Sequence, residues 1–96
     1  SYVYNFVIGV SMARFAKIDG NKYLLDVRGY VCPYPVIYAR KALAQISVGE
    51  VLEVLTDNPP SCENVPKAVE ADGHEVLGVE SIDRGVWRIV VRKRGR

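Results

Sequence analysis

A strand-like run that ends in glycine and leads at once into Cys32-Pro33-Tyr34-Pro35 constrains this chain more than any other feature. Tyr23, Leu25 and Val27 alternate with Leu24, Asp26 and Arg28, the two-residue period of a strand with one apolar face. Gly29 breaks that period. Proline is tolerated in the first turn of a helix, where its missing N–H has no intrahelical role, and is costly further in. Pro33 and Pro35 therefore mark a helix start. Val36, Ala39, Leu43 and Ile46 continue at helical spacing and predict an amphipathic helix over 34–46.

The rest of the chain extends this unit. Ser47-Val48-Gly49-Glu50 interrupts the helical pattern, and Val51 to Thr56 reads as a second strand with Leu52 and Val54 on one face. Asp57-Asn58-Pro59-Pro60-Ser61 is a loop. Pro66 then limits the second helix. A start at Ser61 would set its ring against the carbonyl four residues back, whereas Asn64 as N-cap makes it the second helical residue. The expected helix is 65–72, closed by Gly73. Glu75 to Ile82 and Val86 to Arg92 are expected as a hairpin around a three-residue loop, Asp83-Arg84-Gly85.

The order β-α-β-α-β-β predicts an α/β two-layer sandwich. Its first two strands should be parallel through a right-handed crossover and its last two antiparallel. Both helices should cover one face of a four-stranded mixed sheet. The 96 residues fit one domain and exclude a two-domain enzyme with a cleft between halves.

The N-terminal stretch stands apart. Val3 to Val10 is apolar and rich in aromatic and β-branched residues, yet far short of the ~20 residues that span a bilayer. It lacks the basic start and small-residue cleavage pattern of a signal peptide, so a cytoplasmic location with no membrane contact is expected. Either Met12 is the initiator behind an upstream extension, or the segment is an added edge strand, pairing within the fold or with a second subunit. Residues 1–21 are set apart as an extension, 22–93 as the single domain and 94–96 as a basic tail. The oligomeric state stays open.

The net charge of +2 conceals an asymmetry. Arg84, Arg88, Arg92, Lys93, Arg94 and Arg96 crowd the last thirteen residues with no acidic residue among them. Taking that +6 from the total of +2 leaves residues 1–83 at −4. The basic end is expected as a solvated terminus, with polyanion contact as the alternative.

Two cysteines and one histidine supply too few ligands for a structural zinc site within one chain unless carboxylates or a second subunit help, and too few thiols for a disulfide scaffold. No metal and no cofactor is expected. Cys32 at a helix start faces unpaired backbone N–H groups and the positive end of the helix dipole, which stabilise a thiolate. Because Pro33 and Pro35 carry no N–H, the amides of Tyr34 and Val36 are the candidate donors to the sulfur, and Arg28 could add positive charge. Burial as a small hydrophobe is the competing reading of Cys32, and its place in an irregular turn argues against it. His74, the single histidine, is expected as an exposed loop residue beyond the second helix. Without a base beside it, the thiol does not suit peptide hydrolysis. It suits accepting sulfur and passing it on.

The stretch from Leu25 to Pro35, Leu-Asp-Val-Arg-Gly-Tyr-Val-Cys-Pro-Tyr-Pro, resembles the signature of the TusA/SirA/YedF family of small sulfur carriers. The resemblance continues through Val48-Gly49-Glu50, Asp57-Asn58-Pro59 and Gly73-His74-Glu75-Val76, over roughly residues 22–93. It implies the same β-α-β-α-β-β sandwich, and it implies that Cys32 carries sulfur as a persulfide. The sulfur would come from a cysteine-desulfurase-type donor and leave to an acceptor protein, for tRNA thiolation or related sulfur metabolism. By the same resemblance Arg28, Gly29, Pro33, Tyr34 and Pro35 would shape the site, with Asp57 on the neighbouring loop.

Cys62 falls outside that signature. Two parallel strands end on the same edge of a sheet, so Cys62 could resolve a Cys32 persulfide or form a reversible disulfide with it. A half-buried thiol without such a role is the alternative. Two other functions compete with the carrier. One is an RNA- or protein-binding module, for which the basic end and exposed Tyr30, Tyr34 and Tyr38 would serve. The element order is also similar to that of the C-terminal domain of translation initiation factor 3. The other is a thiol redox regulator using Cys32 and Cys62.

Overall fold

Eight elements succeed one another: β1 (Val3–Ile8), β2 (Ser11–Asp19), β3 (Lys22–Asp26), α1 (Tyr34–Leu43), β4 (Val51–Thr56), α2 (Ser61–Ala71), β5 (Glu75–Asp83) and β6 (Val86–Arg92). The computed structural model describes residues 3–8 and 11–95, and the surroundings of side chains from Arg14 onward. The strands form one mixed sheet in the order β1-β2-β3-β4-β6-β5. Among the described residues only β3 and β4 run parallel, joined through α1; the other neighbours are antiparallel.

The architecture is the expected α/β sandwich with a larger sheet. Four strands were expected and six form. The two additional strands come from the segment set apart as an extension, and β1 is the added edge strand pairing within the fold. The cause lies in β2. Phe15 is 2% exposed and stacks on Tyr23 of β3, with ring centroids 5.4 Å apart. An aromatic that β3 can bury draws β2 into the sheet, and the turn at Asp19-Gly20, where the Asp19 carboxylate accepts from the Gly20 amide at 2.7 Å, closes the hairpin. The expectations that rest on Ser1, Tyr2, Gly9, Val10 and Arg96 lie outside the described residues.

α1 lies over β3 and β4, and α2 over β5 and β6. Leu25, Leu52, Val54, Ile89 and Val91 from the strands, with Val27 just past β3, meet Tyr38, Ala39, Ala42, Leu43, Val65 and Val69 from the helices, all with at most 1% exposure. The alternation of strand residues and the helical spacing thus describe one buried layer.

Both helix bounds differ from expectation. α1 ends at Leu43 rather than residue 46, because the Gln45 amide turns back to the Ala42 carbonyl at 3.0 Å. The Ile46 carbonyl is taken instead by the buried ammonium of Lys93, 2.7 Å away. α2 spans Ser61–Ala71 rather than 65–72, with Pro60 and not Asn64 as its N-cap, and carries Pro66 inside it. Ser61, Val65 and Val69 repeat every four residues and all are fully buried. Packing that stripe on the sheet outweighs the backbone hydrogen bond that proline forgoes. The β5–β6 turn is also tighter than expected, two residues with Gly85 at φ +71°.

Candidate functional site

Parallel pairing brings the C-terminal ends of β3 and β4 to one edge, so the loops that follow them lie side by side. Hydrogen bonds tie the two chain segments together from the strand ends outward. The Val27 amide donates to the Leu55 carbonyl at 2.9 Å, and the Gly29 amide donates to the Asp57 carboxylate at 2.9 Å. Gly29 adopts φ +91°, a conformation that side chains disfavour, which lets the chain turn from β3 into the Cys32 segment. Behind the turn, Tyr30 packs edge-on against the fully buried Tyr38, with centroids 5.2 Å apart.

Cys32 sits half-buried at the mouth of this turn, one residue before Pro33, the N-cap of α1. The Cys32–Pro33 peptide bond is cis. Pro35 is buried in the first turn of α1, and Tyr34 projects outward. The sulfur is met from the far loop and from the start of α2. Asn64 Nδ2 donates to Sγ at 3.2 Å, Asn58 Nδ2 donates at 3.5 Å, and Ser61 Oγ lies 3.5 Å away. Asn58 Nδ2 also donates to Ser61 Oγ at 2.9 Å. With its oxygen accepting from Asn58, the Ser61 hydroxyl has its own hydrogen to turn toward the sulfur.

These polar groups favour the charged form of the thiol. The hydrogen bond from Ser61, then that from Asn64, hold the Cys32 thiol below its ordinary range; desolvation opposes them and Asn58 supports them. Cys62 has no such company, and burial pushes its thiol up. The two thiols are thereby shifted in opposite directions, Cys32 toward the thiolate and Cys62 away from it.

The other sequence candidates are distributed as follows. Arg28 does not add charge to the sulfur. Its guanidinium is drawn onto Asp26, with Nε at 2.9 Å and the terminal nitrogen at 2.8 Å, and that bond keeps the Asp26 carboxyl below its usual range. The expected donor Tyr34 amide bonds to the Val31 carbonyl at 3.0 Å instead. Cys62 follows Ser61 on α2, but at about 100° per residue it is turned about 130° from the midline of Ser61 and Asn64, the pair that faces Cys32. Both cysteines are free thiols.

His74 is not an exposed loop residue: it is 7% exposed, and its Nδ1 accepts from the amides of Arg94 and Gly95, each at 3.2 Å. Burial lowers its pKa. The tyrosines do not form an exposed platform, because Tyr38 is fully buried and Tyr30 half-buried. Among the described basic residues of the C-terminal end, several are paired. Arg88 pairs with Glu80 at 2.8 Å, and Arg94 pairs with Glu75 at 2.9 Å. The aromatic and cationic features that would serve an RNA contact are thus largely engaged within the fold.

Asn58, Ser61 and Asn64 were not among the sequence candidates. The signal that finds them is the parallel pair itself. It sets the loop after β4 against the loop after β3, and Ser61 and Asn64, three apart, share one side of a helix that begins there.

Comparison with known proteins agrees with this geometry. The family model described as sulfurtransferase TusA matches residues 23–93. An Archaeoglobus fulgidus protein named "Putative sulfur carrier protein" is 39% identical over 88 residues, covering 88% of this chain and 99% of its own length. A Thermotoga maritima protein of the same name is 44% identical over 68 residues, covering 71% of this chain and 86% of that one. A solved structure of a SirA-like protein from Desulfitobacterium hafniense superposes with a TM-score of 0.67 at 38% identity, covering 74% of this chain and 96% of that one. The chain belongs to the sulfurtransferase TusA family, as its Cys-Pro-Tyr-Pro segment and flanking motifs implied.

Proposed function

We propose that this protein is a sulfur carrier that takes persulfide sulfur onto Cys32 and relays it to an acceptor protein. In the loading step the Cys32 thiolate attacks the terminal sulfur of a donor persulfide. The Cys32 Sγ–S bond forms, the donor's S–S bond breaks, and the electron pair leaves on the donor's thiolate. In the unloading step an acceptor thiolate attacks the terminal sulfur, and the electron pair returns to Cys32.

The observation that carries the reading is the environment of Cys32 Sγ, met by Asn58, Ser61 and Asn64 without a histidine, since His74 is engaged with the backbone of Arg94 and Gly95. Such a site stabilises a thiolate and offers no base to complete a hydrolytic cycle, which suits transfer between proteins. The rim supports the same reading. Val31, Tyr34 and Ile37 are 62%, 41% and 38% exposed, an apolar footing for a protein that must bring its own sulfur to Cys32. The relatives' shared name supports it as well.

The donor is of the cysteine-desulfurase type and the acceptor serves tRNA thiolation or related sulfur metabolism, with Cys32 as the catalytic residue and Gly29, Pro33, Tyr34, Pro35 and Asp57 shaping its turn. Arg28 acts at one remove, by fixing Asp26 at the end of β3. The setting is the cytoplasm; no helix among the described residues is long and apolar enough to cross a membrane. Incubation with a cysteine desulfurase and cysteine tests the reading by mass spectrometry. The expected result is a gain of about 32 Da, one sulfur atom, in the wild type and none in Cys32→Ser. An adduct of the same yield in Cys32→Ser would remove Cys32 from the role.

A further inference from the structure

We propose that Asn58, Ser61 and Asn64 form a leaving-group site, acting when sulfur departs from Cys32 more than when it is held there. This deepens the carrier reading and rests on it. All three groups converge on Sγ itself, at 3.5, 3.5 and 3.2 Å. In a persulfide the negative charge sits on the terminal sulfur, about 2 Å beyond Sγ. The donors are therefore matched to the empty thiolate and not to the loaded carrier. As the acceptor's thiolate attacks, the Sγ–S bond breaks and its electron pair arrives on Sγ, where the three donors already point. The attack falls on the protonated fraction of the persulfide, and the transferred sulfur carries that proton until the acceptor's new persulfide ionises to water. Groups aligned with charge that appears only during reaction speed that step without tightening the ground state. By the same difference they shift the equilibrium toward the empty carrier and the loaded acceptor.

The arrangement is fixed in advance. Ser61 is fully buried, and Asn58 holds its oxygen at 2.9 Å, so the hydroxyl is oriented before any partner arrives. Asn64 is exposed, so its replacement tests the donor without disturbing the core. The three are positioning residues for Cys32, separate from whatever a partner contributes.

The test is cyanolysis in a Cys62→Ser background. The chain is loaded chemically with inorganic polysulfide, loading is checked by the gain of one sulfur mass, and cyanide is added. Cyanide attacks the terminal sulfur, thiocyanate forms, and Cys32 leaves as its thiolate. Asn64→Ala and Ser61→Ala should each release thiocyanate about three- to tenfold more slowly, with the final yield unchanged. Asn64→Asp, which keeps the shape and removes the donor, should be slower still. The Cys32 pH–reactivity profile should move upward in the same order. Release rates for Asn64→Ala and Asn64→Asp equal to that of the parent would overturn the proposal. Since loading here is chemical, failure of a desulfurase to load the chain would count against the carrier reading alone.

Discussion

Replacing Asp57 by alanine cuts the hydrogen bond that joins the Cys32 turn to the loop carrying Asn58 and leading to Ser61 and Asn64. The bond is short, 2.9 Å from the Gly29 amide, and its acceptor is a carboxylate. Hydrogen bonds to charged groups contribute about 1.5–3 kcal/mol. Both partners here are exposed and water replaces the lost contact, so the expected cost falls below that range, at ~1 kcal/mol. For a domain of this size that corresponds to a melting temperature lowered by about 4–8 °C. A second effect follows from geometry. Without the tie, Cys32 is less firmly held against donors that lie on the other loop, and its thiol moves back up toward the ordinary range. Thermal unfolding by circular dichroism measures the first effect. The pH dependence of iodoacetamide alkylation at Cys32 measures the second, with the profile displaced to higher pH. Asp57→Asn, which keeps an acceptor oxygen, should retain most of both. An Asp57→Ala protein that loses stability yet alkylates with the wild-type pH profile would refute the claim that this tie positions the thiol.

Other perturbations have equally definite outcomes. Burial lowers the pKa of His74 in the fold, with Asp72 opposing and Lys93 reinforcing the shift. Its contribution to stability is complete above the unfolded histidine value of about 6.5 and is lost as pH falls through the lower folded value. Urea unfolding should show this loss in the wild type and a flatter profile in His74→Phe; parallel profiles would contradict it. In Gly95→Ala a new Cβ would overlap the Asp72 carbonyl oxygen, forcing the segment after β6 off the α2–β5 turn. The expected cost is about 1–3 kcal/mol by denaturant titration, and an unchanged midpoint would refute the close approach. At neutral pH iodoacetamide should modify Cys32 well before Cys62, because donors lower one thiol and burial raises the other. Faster labelling of Cys62 would reverse that assignment.

Most of the scaffold was legible wherever local pattern and tertiary packing agree. Val51–Thr56 forms at the bounds its alternation predicts, and the helix after Pro33 begins where the prolines require. Departures occur where distant packing overrides a local rule. Pro66 argued for a late start of α2, but a start a turn earlier adds Ser61 to the buried stripe of Val65 and Val69. β2 escaped notice because Phe15 is a single aromatic in a mixed segment, and its stacking partner Tyr23 lies across a turn. His74 reads as an exposed residue until the segment after β6 returns to supply two amides, those of Arg94 and Gly95. At the site, Cys32 was evident from its place between strand and helix. Its donors were not, since asparagine and serine in a proline-rich loop carry no signature until the parallel strands set that loop beside the thiol.

The central claim is that one thiol, Cys32, receives the sulfur. Trypsin cleavage after Arg28, Arg40, Lys41 and Lys67 places Cys32 and Cys62 in separate peptides, residues 29–40 and 42–67. After loading by a cysteine desulfurase and blocking of free thiols, mass spectrometry of the two peptides should find the additional sulfur on residues 29–40 and only a blocked, sulfur-free thiol on residues 42–67. Sulfur on the Cys62 peptide, or shared equally between the two, would contradict the account.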